Sequence, residues 1–348
     1  MISIDAMGGD HGPSVVVPGV ALACERLKGR DIRFLLHGDR AKLEPPLNRK
    51  RNAAAACVSE IRHTERVVAM DEKPAQALRR SRGSSLWNAV AAIRDGEANA
   101  AVSAGNTGAL MAISKVILRM AADVERPAIV ASWPTMRGVT AVLDVGANVT
   151  SDAEQLVEFA IMGAAFHHAV HGSTRPTVGL LNVGTEEVKG HDEVREAHRL
   201  LSEVGFDMDY RGFVEGSDIA KGTVDVVVTD GFTGNIALKT AEGMARFFST
   251  SLRETLTSSV SAKAGALIAR PALQRMRNRL DPSSVNGGPL LGLNGVVVKS
   301  HGGTDARGFA NAIKVAADMA ASQYAAEIAA NLRTLTGALA TPATAAAS

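Results

Sequence analysis

Aromatic side chains are scarce in this chain, at 4% of 348 residues. A large core must then be packed from Ala, Val and Leu rather than from rings. Cysteine is scarcer still. Cys24 and Cys57 cannot make a disulfide scaffold and suit a reducing cytoplasm; neither lies in a C-x-x-C, so both are expected to be buried small apolar residues. No apolar run nears the roughly 18 residues of a membrane span, and Met1-Ile2-Ser3-Ile4-Asp5 lacks the basic and apolar regions of an export signal. A cytoplasmic protein is expected. An excess of either charge is also missing: 38 Lys and Arg meet 36 Asp and Glu, leaving +2, which argues against a nucleic-acid binder. There is no G-x-G-x-x-G, no P-loop GK[ST] and no G-x-S-x-G elbow. His167 and His171 stand at i, i+4 with His168 between them, but without the Glu of H-E-x-x-H, so a packed or surface cluster is expected and no metal or other cofactor. Any reagent must come from the substrate.

What the chain does have is 46% hydrophobic residues, 21% charged residues and 33 glycines. Short apolar runs alternate with helical patterns, which predicts α/β. Strands are expected at Ile2 to Ile4, Asp31 to Leu36, Ala54 to Ile61, Ala100 to Val102, Ala128 to Ala131, Val139 to Leu143, Val178 to Leu181, Val224 to Val228 and Gly295 to Val298. Helices are expected from Pro13, from an N-cap at Ser84, and over Thr107 to Met120, Ser151 to Val170, Asp192 to Val204 and Asn235 into the 250s. Continuous hydrophobicity, as in Val224-Asp225-Val226-Val227-Val228, predicts a sheet covered on both faces.

Six strands end in one grammar. They run into Asp5-Ala6-Met7-Gly8-Gly9-Asp10, Ser103-Ala104-Gly105-Asn106-Thr107-Gly108, Asp144-Val145-Gly146-Ala147-Asn148, Asn182-Val183-Gly184 through Lys189-Gly190, Asp230-Gly231-Phe232-Thr233-Gly234-Asn235, and Ser300-His301-Gly302-Gly303. Any one could be ordinary turn chemistry. Six together describe the carboxyl rim of an open sheet, where glycine backbone and helix N-termini suit an anion such as phosphate. Ser103 to Thr107 is the best cradle. Lys189 either pairs with a phosphate or polarises a carbonyl, or is a surface lysine neutralised by Glu186 and Glu187; Asn235 is either a capping residue or an amide donor aimed into the cleft. Asp5, Asp10, Asp230 and His301 are second-rank rim residues for proton handling or loop bracing.

This ordered set, with Pro13 and Gly287-Gly288-Pro289-Leu290-Leu291-Gly292 before His301-Gly302, resembles the bacterial phosphate acyltransferases, which convert acyl-[acyl carrier protein] and inorganic phosphate to acyl phosphate for phospholipid synthesis. The resemblance spans about residues 1 to 330. It implies a three-layer α/β/α fold with a mostly parallel sheet, similar to isocitrate and isopropylmalate dehydrogenases and phosphotransacetylases, in a homodimer. It further implies direct attack of phosphate on the thioester without an acyl-enzyme, with Lys189 and Asn235 catalytic. Asp5, Gly9, Asp10, Ser103, Gly105, Asn106, Thr107, Asn148, Asn182, Asp230 and His301 would form the phosphate and thioester rim.

Between Thr257 and Leu280 stand Lys263, Arg270, Arg275, Arg277 and Arg279 with no acidic residue, while Leu252, Leu256, Val260 and Leu267, then Leu273, Met276 and Leu280, recur at helical spacing. With Pro271 opening a second helix, residues 250–282 read as a basic amphipathic hairpin within a single α/β domain of residues 1–334, and 335–348 as a disordered tail. Lys263, Leu267, Arg270, Arg275, Met276 and Arg279 are its expected contacts. These could pack a dimer, meet an anionic membrane near the downstream membrane acyltransferase, or dock the acidic carrier protein, a role for which Arg79, Arg80 and Arg82 compete. The alternatives are a nicotinamide-dependent dehydrogenase on the same fold or a non-catalytic membrane or partner-binding protein.

Overall fold

Ile2-Ser3-Ile4-Asp5 turns no side chain to water, which is possible for a strand only when both faces of its sheet are covered. The computed structural model, which describes residues 1–121, 124–279 and 281–340, supplies that cover. Strands are β1 (Ile2–Asp5), β2 (Phe34–Gly38), β3 (Ser59–His63), β4 (Ala100–Ser103), β5 (Ala128–Ile129), β6 (Ala131–Pro134), β7 (Val139–Leu143), β8 (Thr177–Leu181), β9 (Asp209–Val214), β10 (Val226–Val228), β11 (Gly288–Leu291) and β12 (Val296–Lys299). Helices are α1 (Pro13–Arg26), α2 (Arg40–Leu47), α3 (Ala53–Val58), α4 (Pro74–Arg80), α5 (Ser85–Arg94), α6 (Thr107–Leu118), α7 (Ala153–His171), α8 (Asp192–Glu203), α9 (Gly216–Lys221), α10 (Gly231–Thr257), α11 (Val260–Arg279), α12 (Ala306–Ala321) and α13 (Tyr324–Ala340).

The strands form a seven-stranded sheet, β3-β2-β1-β4-β12-β11-β5, and a five-stranded one, β6-β7-β10-β8-β9. β3, β2, β1, β4 and β12 are parallel, as are β7, β10, β8 and β9; β5, β6 and β11 run against their neighbours near the join. Side chains alternate between the two covering layers. Ile4, Leu36 and Val102 meet Val16, Val17 and Phe309 of α1 and α12 in one core, which continues under the second sheet through Val226, Val228 and α7. Val297 and Leu290 point the other way, with Leu86 and Val90 of α5 and Leu110 and Ile113 of α6. The fold is thus the expected three-layer, mostly parallel α/β arrangement.

Several boundaries differ from expectation, each for a local reason. The run from Ala54 is helical to Val58, and only Ser59–His63 extends as strand, because four consecutive alanines favour helix. Ala128 to Ala131 splits into two strands that pair with different sheets. β9, interrupted by Arg211 and Gly212, and the four-residue β11 carried little periodic signal. α10 begins at Gly231 rather than Asn235, since Asp230 is its N-cap. The hairpin turns at Ser258-Ser259, not at Pro271: the Ser258 hydroxyl donates to Thr255 O at 2.8 Å, and Ser259 Oγ accepts from Ala262 N at 3.0 Å, while α11 runs on through Pro271. α13 carries the helical layer past residue 334, with Leu335 buried; 341–348 of the expected tail lie outside the described residues. Cys57 is exposed rather than buried, and Cys24 half-buried.

His167 is buried against Val139 O and its ring lies 4.8 Å from that of His171, whose Nε2 meets Ser132 Oγ at 3.2 Å. His167 is thus packed against the sheet, while His168 and His171 lie at exposed positions of α7.

At Gly163 α7 packs tightly on the second sheet. A Cβ there would lie 2.6 Å from Val226 Cγ1 and 2.8 Å from Leu143 Cδ2. Gly163→Val should therefore destabilise the fold by about 1–3 kcal/mol through overpacking, measurable as a lower denaturant midpoint in urea unfolding; an unchanged midpoint would show that the helix can shift without cost.

Candidate active site: two nodes of three strand ends

The six polar strand ends do not form one continuous row. Strand order gathers them in threes, the ends of β1, β4 and β12 in the first sheet and those of β7, β8 and β10 in the second.

The first node is built on Asp5. Its buried carboxylate accepts a 2.7 Å hydrogen bond from Ser103 Oγ, which in turn accepts from Gly105 N at 2.9 Å. Burial holds the Asp5 carboxyl above the ordinary carboxylate range, against the pull of the Ser103 bond. Ser103 and Asp5 thus brace the loop that carries Gly105, Asn106 and Thr107. Ser300 N donates to Ser103 O at 2.8 Å and Asp10 N to Gly302 O at 3.0 Å, which draws all three loops together. Gly9, with φ of +86°, is required at their meeting point: a Cβ would lie 2.9 Å from Ala104 Cβ and 3.0 Å from Gly302 O.

Asn106 caps α6, accepting from Ala109 N at 3.0 Å, while its Nδ2 donates to the carbonyls of Ala69, Met70 and Glu72. Both ends of its side chain are engaged, so it positions the helix. What α6 offers outward is its positive N-terminal end, with exposed Thr107 as first residue. Exposed Asp10 lies beside Gly302 and Gly303. His301 is exposed, held by its own N–H to Asn286 Oδ1 at 3.0 Å, with Nδ1 accepting from Gly303 N at 3.2 Å.

The second node is built on Asp144, fully buried at the cis Leu143-Asp144 peptide. It accepts from the backbone N–H groups of Ile129, Gly146, Ala147 and Asn148 at 2.7–3.2 Å and from Asn148 Nδ2 at 3.0 Å. Burial raises its pKa and these donors oppose the rise. Asn148 is itself buried, its amide bonded also to Pro127 O at 2.8 Å, so its side chain belongs to the brace. Asp230 accepts from Thr233 N at 2.8 Å and Thr233 Oγ1 at 2.7 Å, the N-cap role. Asn235 therefore does not cap; it is exposed on the second turn of α10, beside Gly146 of the Asp144 loop. Asn182 shapes the β8 loop by donating to Lys189 O at 3.0 Å. Lys189 is exposed and bonds Glu186 at 2.7 Å, which holds the Glu186 carboxyl below its usual range. Exposed pairs of this kind contribute little stability, so the ammonium can exchange Glu186 for a substrate anion.

One residue escaped the sequence reading. Lys299 ends β12 after three valines, and its Nζ reaches the carbonyls of Ala104 (3.3 Å) and Ser300 beside the Asp5 node. A cation closing an otherwise apolar, internal strand was the signal. In the hairpin, Lys263, Leu267, Arg270, Arg275 and Met276 are exposed; the side chain of Arg279 lies outside the described residues. No helix of the described residues is long and apolar enough to cross a membrane.

Comparison with known proteins shows the family. A family model described as "Fatty acid synthesis protein" matches residues 1–327. Proteins named phosphate acyltransferase are similar along nearly the whole chain: that of Caulobacter vibrioides is 70% identical over 336 residues, covering 97% of this chain and 92% of the relative, and that of Brucella ovis 55% over 333 residues, covering 95% of each. Among solved structures, a phosphotransacetylase from Streptococcus pyogenes superposes with a TM-score of 0.57 at 17% identity, over 92% of this chain and 93% of that one. A 4-hydroxythreonine-4-phosphate dehydrogenase from Klebsiella pneumoniae does so at 0.52 and 15%, over 92% and 99%; at such identities these show the fold alone. The chain belongs to the fatty acid synthesis protein family and, with its close relatives, is a phosphate acyltransferase.

Proposed function

We propose that this acyltransferase moves a long-chain acyl group from acyl-[acyl carrier protein] to inorganic phosphate by direct displacement, at the cleft between the two nodes. The observation that carries this reading is the division of equipment between them. The first node presents the positive end of α6 on a loop braced by Asp5 and Ser103, suited to a phosphate dianion. The second presents Lys189 and Asn235, exposed cation and amide donor, for a carbonyl oxygen that gains charge.

A phosphate oxygen attacks the thioester carbon, the carbonyl oxygen becomes an oxyanion beside Lys189 or Asn235, and collapse breaks the C–S bond. The thiolate leaves on the carrier's pantetheine and takes a proton from solvent; acyl phosphate remains. A thioester needs no stronger nucleophile, so the protein's contribution is position and charge stabilisation, the first of which can supply several kcal/mol.

Outside the cleft, we assign homodimer contacts to α10, where Met244, Phe247 and Phe248 are exposed at i, i+3, i+4, and anionic-membrane contact to the hairpin's far part. There Leu267 and Ile268, 69% and 84% exposed, accompany Lys263, Arg270 and Arg275. Such a tip would deliver acyl phosphate, an acyl chain with an anionic head, to the membrane enzyme that consumes it.

Incubation with long-chain acyl carrier protein and phosphate, followed by hydroxylamine, should yield phosphate-dependent hydroxamate; its absence overturns the assigned reaction. Lys189→Ala and Asn235→Ala should each lower the rate on the order of 10²- to 10³-fold, and a wild-type rate in either removes that residue from the chemistry. Wild-type protein should float with anionic and not with neutral vesicles, and Leu267→Glu with Ile268→Glu should abolish flotation; unaltered flotation would dismiss the tip. Met244→Glu with Phe247→Glu should sediment as monomer, and a dimer in that variant would place the interface elsewhere.

A further inference from the structure

Among the described residues Lys299 makes no salt bridge, although the charges of Asp5 and Asp10 act on it. Its ammonium donates to two backbone carbonyls, Ala104 O at 3.3 Å and Ser300 O, and among the described residues no carboxylate is paired with it. An ammonium has three protons. Two are engaged by the ends of β4 and β12, and the third is unassigned at the edge of the loop that carries the α6 N-terminus. The side chain is partly rather than fully buried.

A second cation approaches from the opposite node. Lys239 lies one turn beyond Asn235 on α10, at i, i+4 and hence on the same face. Its own partner is Glu242 at 2.9 Å, yet its charge still reaches Lys299 and is one of those acting on it. The two like charges disfavour one another, and an anion bound at Lys299 would offset that repulsion. A dianion would meet Lys299 and the α6 amides on one side and the field of Lys239 on the other.

We propose that Lys299 is the phosphate-binding ammonium of the site, holding the nucleophile against the β4–α6 loop and leaving Lys189 to the acyl oxygen. This rests on phosphate being the acyl acceptor. The assignment gives a reason for a lysine at the end of an internal valine strand, where a neutral residue would pack at lower cost.

The surroundings also set how its charge responds to pH. Burial depresses the Lys299 pKa to about 8; Asp5 on β1 and Asp10 on the following loop oppose this, and Lys239 on α10 reinforces it. The ammonium is therefore present below about pH 8 and lost above it, and phosphate capture should weaken through that interval.

Steady-state kinetics on Lys299→Met and Lys299→Arg, each checked for an unchanged thermal melt, test the assignment. Losing a charge-assisted hydrogen bond should raise the KM for phosphate roughly 10- to 100-fold in Lys299→Met, with the KM for acyl carrier protein unmoved. Lys299→Arg should recover part of the affinity and shift the alkaline fall of kcat/KM for phosphate to higher pH, because a guanidinium stays charged. An unchanged phosphate KM in Lys299→Met, a parallel rise in both KM values, or an alkaline limb that the arginine does not move would each overturn the proposal. Should the wild type form no acyl phosphate, the reaction assigned above fails. A ³¹P NMR titration of inorganic phosphate against wild type and Lys299→Met then still decides the lysine: binding lost in the variant supports it, and equal binding overturns it.

Discussion

A carboxylate taken out of water must be met by donors, and in this chain two such carboxylates fix where the site's loops stand. Asp144 draws in four backbone N–H groups, one of them from Ile129 at the start of the crossover between the sheets. Asp5 draws in Ser103 and through it Gly105. Both carboxylates are buried and accept from protein donors. Each converts a flexible glycine-rich segment into a surface of fixed shape, because moving the loop would strand a buried acceptor without partners. The glycines follow from the same constraint. A Cβ on Gly231 would lie 2.6 Å from Asp144 Oδ2, and one on Gly8 2.5 Å from Asp5 Oδ2, so the chain can wrap these anions closely only where side chains are absent.

Strand ends and their polar loops were legible in the sequence because each is written locally, as an apolar run followed by glycine with Asp, Asn or Ser. Their division into two nodes was not. It depends on strand order, with β12 inserted next to β4 and β10 next to β7, and such pairing joins segments far apart in the chain. The same limit explains why Ser103, Asn106 and Asn148 read as ligand-facing when their polar atoms meet protein partners: composition shows which groups are present, not which are already satisfied. Asn235 illustrates the reverse case, since the cap that would have employed it is made by Asp230 five residues earlier. The resemblance to phosphate acyltransferases named Lys189 and Asn235, residues that geometry then placed exposed in the second node.

Lys299 was missed because strand periodicity treats the last residue of an apolar run as an edge. In a parallel sheet that edge is where chemistry is done. A charged residue there bears the same relation to its strand as Asp5 and Ser103 bear to theirs, and β1, β4 and β12 stand side by side in register, with Asp5 opposite Ser103 and Ser103 opposite Lys299. One row across three strands thus reads carboxylate, hydroxyl, ammonium.

The helical hairpin stands with one foot on each node. α10 rises from the Asp230 cap at the end of β10, and after α11 the chain returns through Asn286, whose amide donates to Ser300 Oγ at 2.8 Å and accepts from His301 N at 3.0 Å. With 27 residues in its first arm, the lever is about 40 Å long at 1.5 Å per residue. Whatever the far turn meets is therefore joined to both nodes by continuous helix, one arm leading to each.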